Sequence, residues 1–371
     1  MTSLATFNAN NFFLRYKFSR TYPGDMSKAS SIEASAVGTI GYLPGLAFGK
    51  YTKRYIIWDA QRRELAAQAL HEPDGCLPDI LCFQEVENIH AIRLFNQKYL
   101  GNHYPYSLLI DGCDSRHIDV GLLSKFPIRD VRSHIDERND QGNRIFSRDC
   151  LEAEIELPNG SILTLLLNHL KSKLVIRKEG ETDAQYHARV LESHEKRLSQ
   201  ATAVAKYVDS RFCCQHDQAL YAVVGDFNDT PQSPWVKPLV NSPHLTNILT
   251  RHRESNDCWT YYWRSRNRVS QIDYILASRA LTKLIDDAVT ADSSKKPHIE
   301  RQGLAYREKN KSDQILPMRS NLVHFEADPV TDTPACASPN EKVNFRFQRY
   351  AEVLDNWKAN VSDHCPVKVW F

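Results

Sequence analysis

Short apolar runs recur along the chain and alternate with longer charged stretches whose apolar residues have helical spacing. The short runs predict strands, whereas the periodic stretches predict helices. Helices are expected at 56–71, 87–99 and 181–210, and Asn88 is the candidate N-cap of the second. Strands are expected at 3–8, 79–85, 106–110, 118–124, 150–157, 162–167, 219–224, 271–277 and 366–371.

Both hairpins and helix-linked strands occur in this pattern. The Pro-Asn-Gly sequence at 158–160 separates two predicted strands, and Asn-Gly is a strong hairpin-turn signal. Residues 125–128 are expected to form a turn out of the strand before them. Strands that alternate with helices, yet include hairpins, predict an α/β four-layer sandwich in which two packed mixed β-sheets are flanked by helices.

Two long stretches interrupt the regular pattern. Residues 12–55 are aromatic, basic and punctuated by Gly and Pro, and they are too long for a plain connection. Residues 279–345 are polar, rich in Lys, Arg, Pro and Ser, and show little periodicity. No repeat and no domain linker is evident, so we expect one domain over 1–371 with long insertions at about 12–55 and 279–345.

Polar residues stand at the ends of several predicted strands. A strand with a buried body and a polar residue at its end builds a site, because the rigid scaffold holds the group while the following loop exposes it. Together these groups are those needed to hold a divalent cation and hydrolyse a phosphate ester. They are Asn8, Glu85, the Asn168–Lys171 segment, Asp226, Asp273 and His364.

Composition narrows the class of protein only slightly. The chain has 371 residues, of which 42% are hydrophobic and 25% charged, and a net charge of +2 is too mild to indicate a nucleic-acid binder. The nine cysteines are scattered without a Cys-x-x-Cys pair, which argues against a structural zinc site and suits thiols in a reducing compartment. The first thirty residues lack the features of a signal peptide, and the apolar runs fall short of the ~18 residues of a membrane span. We therefore expect a cytoplasmic protein without stable membrane insertion.

In chain order these motifs resemble those of the endonuclease/exonuclease/phosphatase superfamily, which includes DNase I, abasic endonucleases, neutral sphingomyelinases and inositol polyphosphate 5-phosphatases. The resemblance extends from Asn8 to His364 and leaves the two long stretches uncovered. A single motif such as Gly-Asp-x-Asn arises by chance, whereas five in order are specific. The resemblance implies a DNase I-like fold. The motifs are Thr6–Asn10, Asp79–Glu85, Val223–Asn228, Gln271–Tyr274 and Val361–Val367.

The resemblance also implies a metal site. Glu85 matches the main carboxylate ligand for Mg²⁺ or Mn²⁺, hard cations that prefer oxygen ligands. Asn8 would support the metal shell or hold a phosphate oxygen, and Asp363 matches a further acid near the metal. Asn10 stands where abasic endonucleases carry an Asp, so a second carboxylate from this strand is missing. A solvent-facing Glu and strand-end turn residues are the alternatives for these positions.

Five residues match the family's catalytic positions. Asp226 would orient or deprotonate the attacking water, and Asn228 would hydrogen-bond a phosphate oxygen; the alternative for this pair is an Asx turn. Asp273 would pair with His364 and favour its protonated state, so that the ring offers positive charge to the phosphorane. His169 is a candidate general acid for the leaving oxygen.

Further residues are assigned to the substrate phosphate. Asn168 would support the neighbouring imidazole, and Lys171 could neutralise phosphate charge, although exposed lysines are common. Arg148 resembles a phosphate-contacting Arg of DNase I-like members, and a surface salt bridge with Asp149 or Glu152 is its alternative. Four histidines match no motif and are expected at the surface. They are His117, His134, His187 and His194.

Three functions are compatible with these motifs. The first is a Mg²⁺- or Mn²⁺-dependent nuclease acting on DNA, favoured by basic aromatic sequence at 15–20 and at 259–268 that would suit phosphates and bases. The second keeps the chemistry but acts on phosphoinositides or sphingomyelin, with the apolar stretch 42–48 touching a membrane. The third is a scaffold protein that has lost catalysis, which the complete set of motif residues disfavours.

Overall fold

Two six-stranded mixed β-sheets form the centre of the computed structural model. The model describes residues 1–12, 14, 60–71, 75–264, 266–305, 318–320, 327–328, 333–334, 342–343, 349–354 and 360–371. The strands are β1 (Ser3–Phe12), β2 (Ile80–Val86), β3 (Tyr106–Leu109), β4 (Asp119–Ser124), β5 (Ile128–Arg132), β6 (Leu151–Glu156), β7 (Ile162–His169), β8 (Leu220–Asp226), β9 (Thr246–Asn247), β10 (Tyr261–Trp263), β11 (Arg268–Ser270), β12 (Asp273–Ala277), β13 (His298–Ile299), β14 (Met318–Ser320), β15 (Ala327–Asp328), β16 (Thr333–Pro334), β17 (Lys342–Val343) and β18 (Val367–Trp370).

The first sheet has the order β13-β18-β1-β2-β4-β3 and the second the order β5-β6-β7-β8-β12-β9. Each contains one parallel pair, β1 with β2 and β7 with β8, among antiparallel neighbours. The described helices are α1 (Ala60–Leu70), α2 (Ile89–Tyr99), α3 (Asp183–Arg211), α4 (Lys237–Val240), α5 (Ile248–His252), α6 (Arg279–Ala291) and α7 (Ala351–Leu354).

The layers follow from the two-residue period of the strands. In β2, Ile80 and Cys82 face the core between the sheets, whereas Leu81 and Phe83 face the opposite way. That outer face packs against α1 and α2. On the second sheet, Val223 of β8 packs outward against the apolar side of α3. Since both faces of both sheets are covered, apolar residues on both faces of their central strands are buried, and the predicted four-layer α/β sandwich is confirmed.

Three local expectations need correction. The turn predicted at 125–128 ends one residue early, because Ile128 begins β5 (128–132), an edge strand with mostly exposed side chains that was not predicted. The segment 279–345 begins with the regular helix α6, which buries Leu281 and Ile285 in the core between the sheets. His134 and His194 are buried rather than at the surface. The predicted insertion 12–55 lies almost entirely outside the described residues, and the single-domain organisation stays a prediction.

Candidate active site

Strand pairing brings the predicted polar strand ends together at one edge of the sandwich. In the parallel pair β1 and β2, Asn8 lies opposite Gln84, the residue before Glu85, and β1 runs on to Phe12 rather than ending at Asn8 as predicted. The parallel pair β7 and β8 ends at His169 opposite Asp226. Because β12 runs antiparallel to β8, its first residue, Asp273, also lies opposite Asp226. Groups separated by more than two hundred residues in sequence therefore meet at this edge.

A glycine allows this convergence. Gly225 has a φ of +129°, and a Cβ atom at this position would lie 1.9 Å from the backbone oxygen of Asn168 on the neighbouring strand. No other residue fits both this backbone conformation and this close approach. The Gly-Asp-x-Asn motif thus needs its glycine so that β7 and β8 can pair tightly up to Asp226.

Asp226 lies at the centre of the site with a side chain that is only 1% exposed. Its Oδ2 accepts a hydrogen bond from the amide of Asn8 at 2.8 Å, and its Oδ1 accepts one from the backbone N–H of Asn228 at 2.7 Å. Asn228 has a φ of +55°, a conformation that Asn tolerates better than most residues. Burial raises the pKa of Asp226 to about 7, against the opposing charge of His364. A carboxylate with such a pKa can accept a proton near neutral pH.

His364 and Asp273 form the predicted acid–imidazole pair. The Nδ1 atom of His364 lies 3.0 Å from both carboxylate oxygens of Asp273, and the hydroxyl of Thr260 donates to the same carboxylate at 2.7 Å. Burial lowers the pKa of His364, but the charges of Asp273 and Asp226 outweigh this effect and raise it to about 10. The imidazole is therefore positively charged at neutral pH, with its Nε2 atom 3.8 Å from Oδ2 of Asp226.

His169 faces the same carboxylate from the other side. Its Nε2 atom lies 3.5 Å from Oδ2 of Asp226 and 3.8 Å from Oε1 of Glu85. Burial and then the charge of Arg148, whose Nη1 atom is 2.9 Å away, hold the pKa of His169 well below its usual range. A neutral imidazole is a weaker proton donor than the predicted general acid, so in this arrangement the ring is suited to hydrogen bonding.

The order of these groups along the chain matches that of a known family. The sequence profile of the Endonuclease/Exonuclease/phosphatase family matches residues 5–294. The chain belongs to this family. Its members are metal-dependent phosphoesterases with a DNase I-like fold, so the protein is an endonuclease/exonuclease/phosphatase-family phosphoesterase. No curated protein matches its sequence significantly.

Solved structures resemble the protein over nearly its whole length. A Staphylococcus aureus beta toxin has 12% identity and a TM-score of 0.46, with 100% of this chain and 99% of that chain covered. A humanized D. rerio TDP2 has 12% identity and a TM-score of 0.47, covering 99% and 97%. A Bacteroides thetaiotaomicron mannosyl-6-phosphatase has 14% identity and a TM-score of 0.48, covering 100% and 99%. Likeness at this level says nothing about the substrate.

Glu85 lies in surroundings that suit a cation ligand. Its φ is +60°, and its Oε2 accepts a hydrogen bond from the backbone N–H of Asn11 at 2.9 Å. Burial raises its pKa, an effect that the charge of Arg116 partly offsets and that of Asp363 reinforces. Asp363 is held nearby by the amide of Asn10 at 2.7 Å. A carboxylate whose ionisation is opposed by burial and by a neighbouring acid fits a divalent cation, which would relieve both effects.

A second grouping of possible metal ligands occurs deeper in the site. Asp226, Asp273 and His364 each place a ligand atom within 4.8 Å of the others. This trio is already paired internally, since Nδ1 of His364 lies 3.0 Å from Asp273 and its Nε2 lies 3.8 Å from Oδ2 of Asp226. We therefore take the position near Glu85 as the candidate site for the cation.

The residues assigned to the substrate phosphate have different environments. Arg148 is buried and lies 3.5 Å from Asp114, not beside Asp149 or Glu152 as in the alternative considered for it. Asn168 is fully buried and donates to the backbone oxygen of Leu166, which suits support of β7 and not direct phosphate contact. Lys171 is partly exposed, and burial followed by the charge of Arg148 lowers its pKa. Of the three, Lys171 is the best placed to meet an incoming anion.

The sequence did not reveal the support behind these residues. Arg197 of α3 forms a fully buried ion pair with Asp229 at 3.0 Å and donates to the backbone oxygen of Lys171 at 2.7 Å. Gln200, one turn along the helix, accepts from the backbone N–H of Lys171. The only sequence signal was Asp229 itself, which directly follows the Gly-Asp-x-Asn motif. Helix α3 thus fixes the two segments that directly follow β7 and β8, the strands that end at His169 and Asp226.

Proposed function

We propose that the protein is a divalent-metal-dependent phosphodiesterase, a nuclease that hydrolyses DNA phosphodiester bonds by in-line attack of water. One observation carries the proposal. A carboxylate with a pKa of about 7 and an imidazole with a pKa of about 10 lie 3.8 Å apart in the same cleft. At neutral pH such a pair supplies a proton acceptor and a positive charge together, which is what attack of water on a phosphodiester requires.

Each residue of the site then has a chemical task. Glu85, with support from Asn8 and Asp363, would hold Mg²⁺ or Mn²⁺, and the bound ion would neutralise charge on the scissile phosphate. Asp226 accepts the proton of the attacking water. His364 stabilises the negative charge of the pentacovalent state, because Asp273 keeps it protonated.

Two neighbouring groups complete the assignment. Both N–H groups of the Asn228 amide already donate, one to Asp226 and one to the backbone oxygen of Leu170, so contact with a phosphate oxygen requires the exchange of one of these bonds in the substrate complex. His169 remains our candidate for contacting the leaving oxygen. Since the ring is neutral, we assign it a hydrogen bond in the substrate complex and expect water to complete the proton transfer.

A hairpin next to the site supports a nucleic-acid substrate. Strands β10 and β11 pair antiparallel, and Tyr261 at the start of the hairpin has its ring centroid 4.9 Å from that of His364. Further along, the side chain of Trp263 is 42% exposed and the guanidinium of Arg266 lies 5.7 Å from its ring. Exposed aromatic rings beside cations bind bases and backbone phosphates together. The other basic aromatic stretch, 15–20, lies outside the described residues.

The test is metal-dependent cleavage of plasmid DNA. Wild-type protein should cleave with Mg²⁺ or Mn²⁺ and lose activity with EDTA, and the rate should fall at least ~10-fold between about 50 and 200 mM salt. Trp263→Ala should raise KM for DNA by roughly 5- to 100-fold and leave hydrolysis of bis-p-nitrophenyl phosphate unchanged. Leu284→Ala, which truncates an exposed apolar side chain on α6, is the matched control. A flat salt response with an unchanged KM in Trp263→Ala would contradict a polymeric substrate.

A phosphatase or lipid phosphodiesterase is the alternative. The same trio of acid, imidazole and acid would serve a phosphomonoester or a lipid phosphodiester equally well, so the distinction rests on the surrounding loops. The apolar stretch 42–48, on which membrane contact was predicted, lies outside the described residues. Vesicles containing sphingomyelin or phosphoinositides should therefore accompany DNA in the assay, and faster turnover of either lipid would replace the nuclease assignment.

Two further expectations concern the catalytic roles assigned here and the location of the protein in the cell. If both Asp226→Ala and His364→Ala keep wild-type turnover of every substrate, the roles assigned here are wrong, whereas a wild-type protein that turns over no substrate would favour a scaffold function. No helix in the described part of the chain is both long and apolar enough to cross a membrane. A cytoplasmic location stays a prediction.

A further inference from the structure

A second cluster of ligating side chains lies at the far end of the second sheet. Asp209 comes from the last turns of α3, His216 from the loop that follows it, and His244 from the segment before β9. Each offers one ligand atom, and these three atoms lie within 4.8 Å of one another. All three side chains retain contact with solvent, so an ion from solution can reach them.

The two imidazoles lie face to face. Their ring centroids are 3.6 Å apart and their planes differ by 6°, so two positive charges would repel strongly at this distance. Burial, and then the proximity of His244, lowers the pKa of His216. The stacked geometry therefore disfavours a doubly charged pair, and a neutral imidazole is the form that binds metal.

A buried tyrosine fixes the orientation of His216. The hydroxyl of Tyr221 lies 2.9 Å from Nδ1 of His216 and 3.3 Å from the backbone oxygen of His244. The carbonyl can only accept, so it takes the hydroxyl proton, and Nδ1 of His216 must then donate its own proton to the hydroxyl. This leaves the lone pair on Nε2. Phe212 stacks on the tyrosine ring at 4.0 Å and holds it in place.

Such outer hydrogen bonds are typical of metal-binding histidines, in which the second ring nitrogen is engaged so that the first presents its lone pair. We propose that Asp209, His216 and His244 form a binding site for a divalent transition metal ion of the Zn²⁺ class. Two imidazoles and one carboxylate suit Zn²⁺, whereas Mg²⁺ prefers oxygen ligands alone.

Binding requires only a local adjustment. Ligand atoms at about 2.0–2.1 Å from Zn²⁺ lie roughly 3.3 Å from each other in a tetrahedral site. The three ligand atoms here lie within 4.8 Å of one another, so they would need to move somewhat closer together. The parallel rings must also tilt so that their lone pairs converge. Both rings are partly exposed and His244 lies in a short connecting segment, so this tilt does not disturb the core.

The site is separate from the catalytic centre. Tyr221 stands at the start of β8 and Asp226 at its end, so five residues of extended strand, or about 17 Å, separate them. Its role would be to tie the end of α3 to the segment before β9. A metal here would thus stabilise the helix that supports the catalytic loops, without entering the reaction.

The test measures Zn²⁺ binding by calorimetry on metal-stripped protein without a polyhistidine tag. Glu85→Gln is used as the background, so that the catalytic site does not contribute. We expect one Zn²⁺ per chain, and His216→Ala or His244→Ala should weaken binding at least 10-fold. His90→Ala, which removes an exposed histidine of α2, is the matched control and should bind as the background does.

Two further measurements keep the outcome decisive. Cys213 and Cys214 lie in the same loop with exposed thiols, so Cys213→Ser/Cys214→Ser should retain the ion if the assignment is right. X-ray absorption of the zinc-loaded background protein should show nitrogen and oxygen ligands at about 2.0–2.1 Å, and this measurement needs no variant that removes a proposed ligand. Absence of bound zinc, sulfur ligation at about 2.3 Å, or unchanged affinity in both histidine variants would overturn the proposal.

Discussion

Replacing Asp273 by Asn tests the electrostatic basis of the site. His364 owes its high pKa first to this carboxylate, whose two oxygens both lie 3.0 Å from Nδ1. With a pKa of about 10, the ring is about 99% protonated at pH 8. Without its partner the pKa of the ring falls toward the free value of ~6.5, at which only ~3% is protonated at pH 8, although the charges of Asp226 and Asp363 still oppose this fall. We expect Asp273→Asn to lose up to ~30-fold of its turnover at pH 8 from protonation alone.

The assay is the pH profile of Mg²⁺-dependent hydrolysis of bis-p-nitrophenyl phosphate. Wild-type turnover should decline only as the pH rises through about 10, whereas the variant should decline near neutral pH and recover partly below it. The free energy of unfolding should depend on pH in the same direction. The raised pKa of His364 stabilises the folded protein fully below pH 6.5, and this contribution is lost as the pH rises toward 10. Asp286→Asn, which breaks an acid–imidazole pair with His252 on the surface, is the control. An alkaline limb unchanged by Asp273→Asn would refute the reasoning.

Three further substitutions probe the scaffold and the metal. Gly225→Ala should lower the free energy of unfolding in urea by roughly 3–5 kcal/mol. The new Cβ would clash with the backbone of the neighbouring strand, and the residue would keep a positive φ. Wild-type stability would contradict this close approach of the two strands. Arg197→Met should destabilise the protein by about 1.5–3 kcal/mol, because it removes one of the two cations that pair with the buried Asp229 while Lys173 remains, and a double variant with Asp229→Leu should recover part of this loss. Glu85→Gln should raise the Mg²⁺ concentration for half-maximal activity at least ~10-fold, and an unchanged metal requirement would place the cation elsewhere.

The sequence revealed the site because its chemistry stands at strand ends. An apolar run followed by a polar residue is a local signal, and parallel neighbours bring such ends to one edge whatever their separation in sequence. The pairing of Asp273 with His364 across 91 residues was instead implied by the family resemblance, because Asp273 begins β12 and His364 lies in the segment before β18. The partners of Arg148 and Arg197 could not be predicted, since both depend on which loop or helix packs over the second sheet.

The misjudged elements have identifiable physical causes. Strand β5 lies at a sheet edge with exposed side chains, so it lacks the apolar alternation that marks a strand. Helix α6 does have apolar residues at helical spacing, Leu281, Ile285 and Ala288, and Ser278 as its N-cap. This short periodic stretch was overlooked because the rest of the segment 279–345 is polar and lacks periodicity. His194 is buried because it stacks on Trp235 and is hydrogen-bonded to Arg197, contacts that no local pattern announces.

The catalytic trio also links metal binding to base strength. With both acids ionised and His364 protonated, Asp226, Asp273 and His364 together carry one negative charge in a buried space. An approaching phosphate adds negative charge and raises the pKa of Asp226 above its value of about 7, which would silence it as a base. A divalent cation near Glu85 acts in the opposite direction, so substrate binding and base function are compatible only when the cation is present. The acid limb of the pH profile should therefore move to higher pH at subsaturating Mg²⁺, and a limb independent of Mg²⁺ would show that Asp226 is not the base.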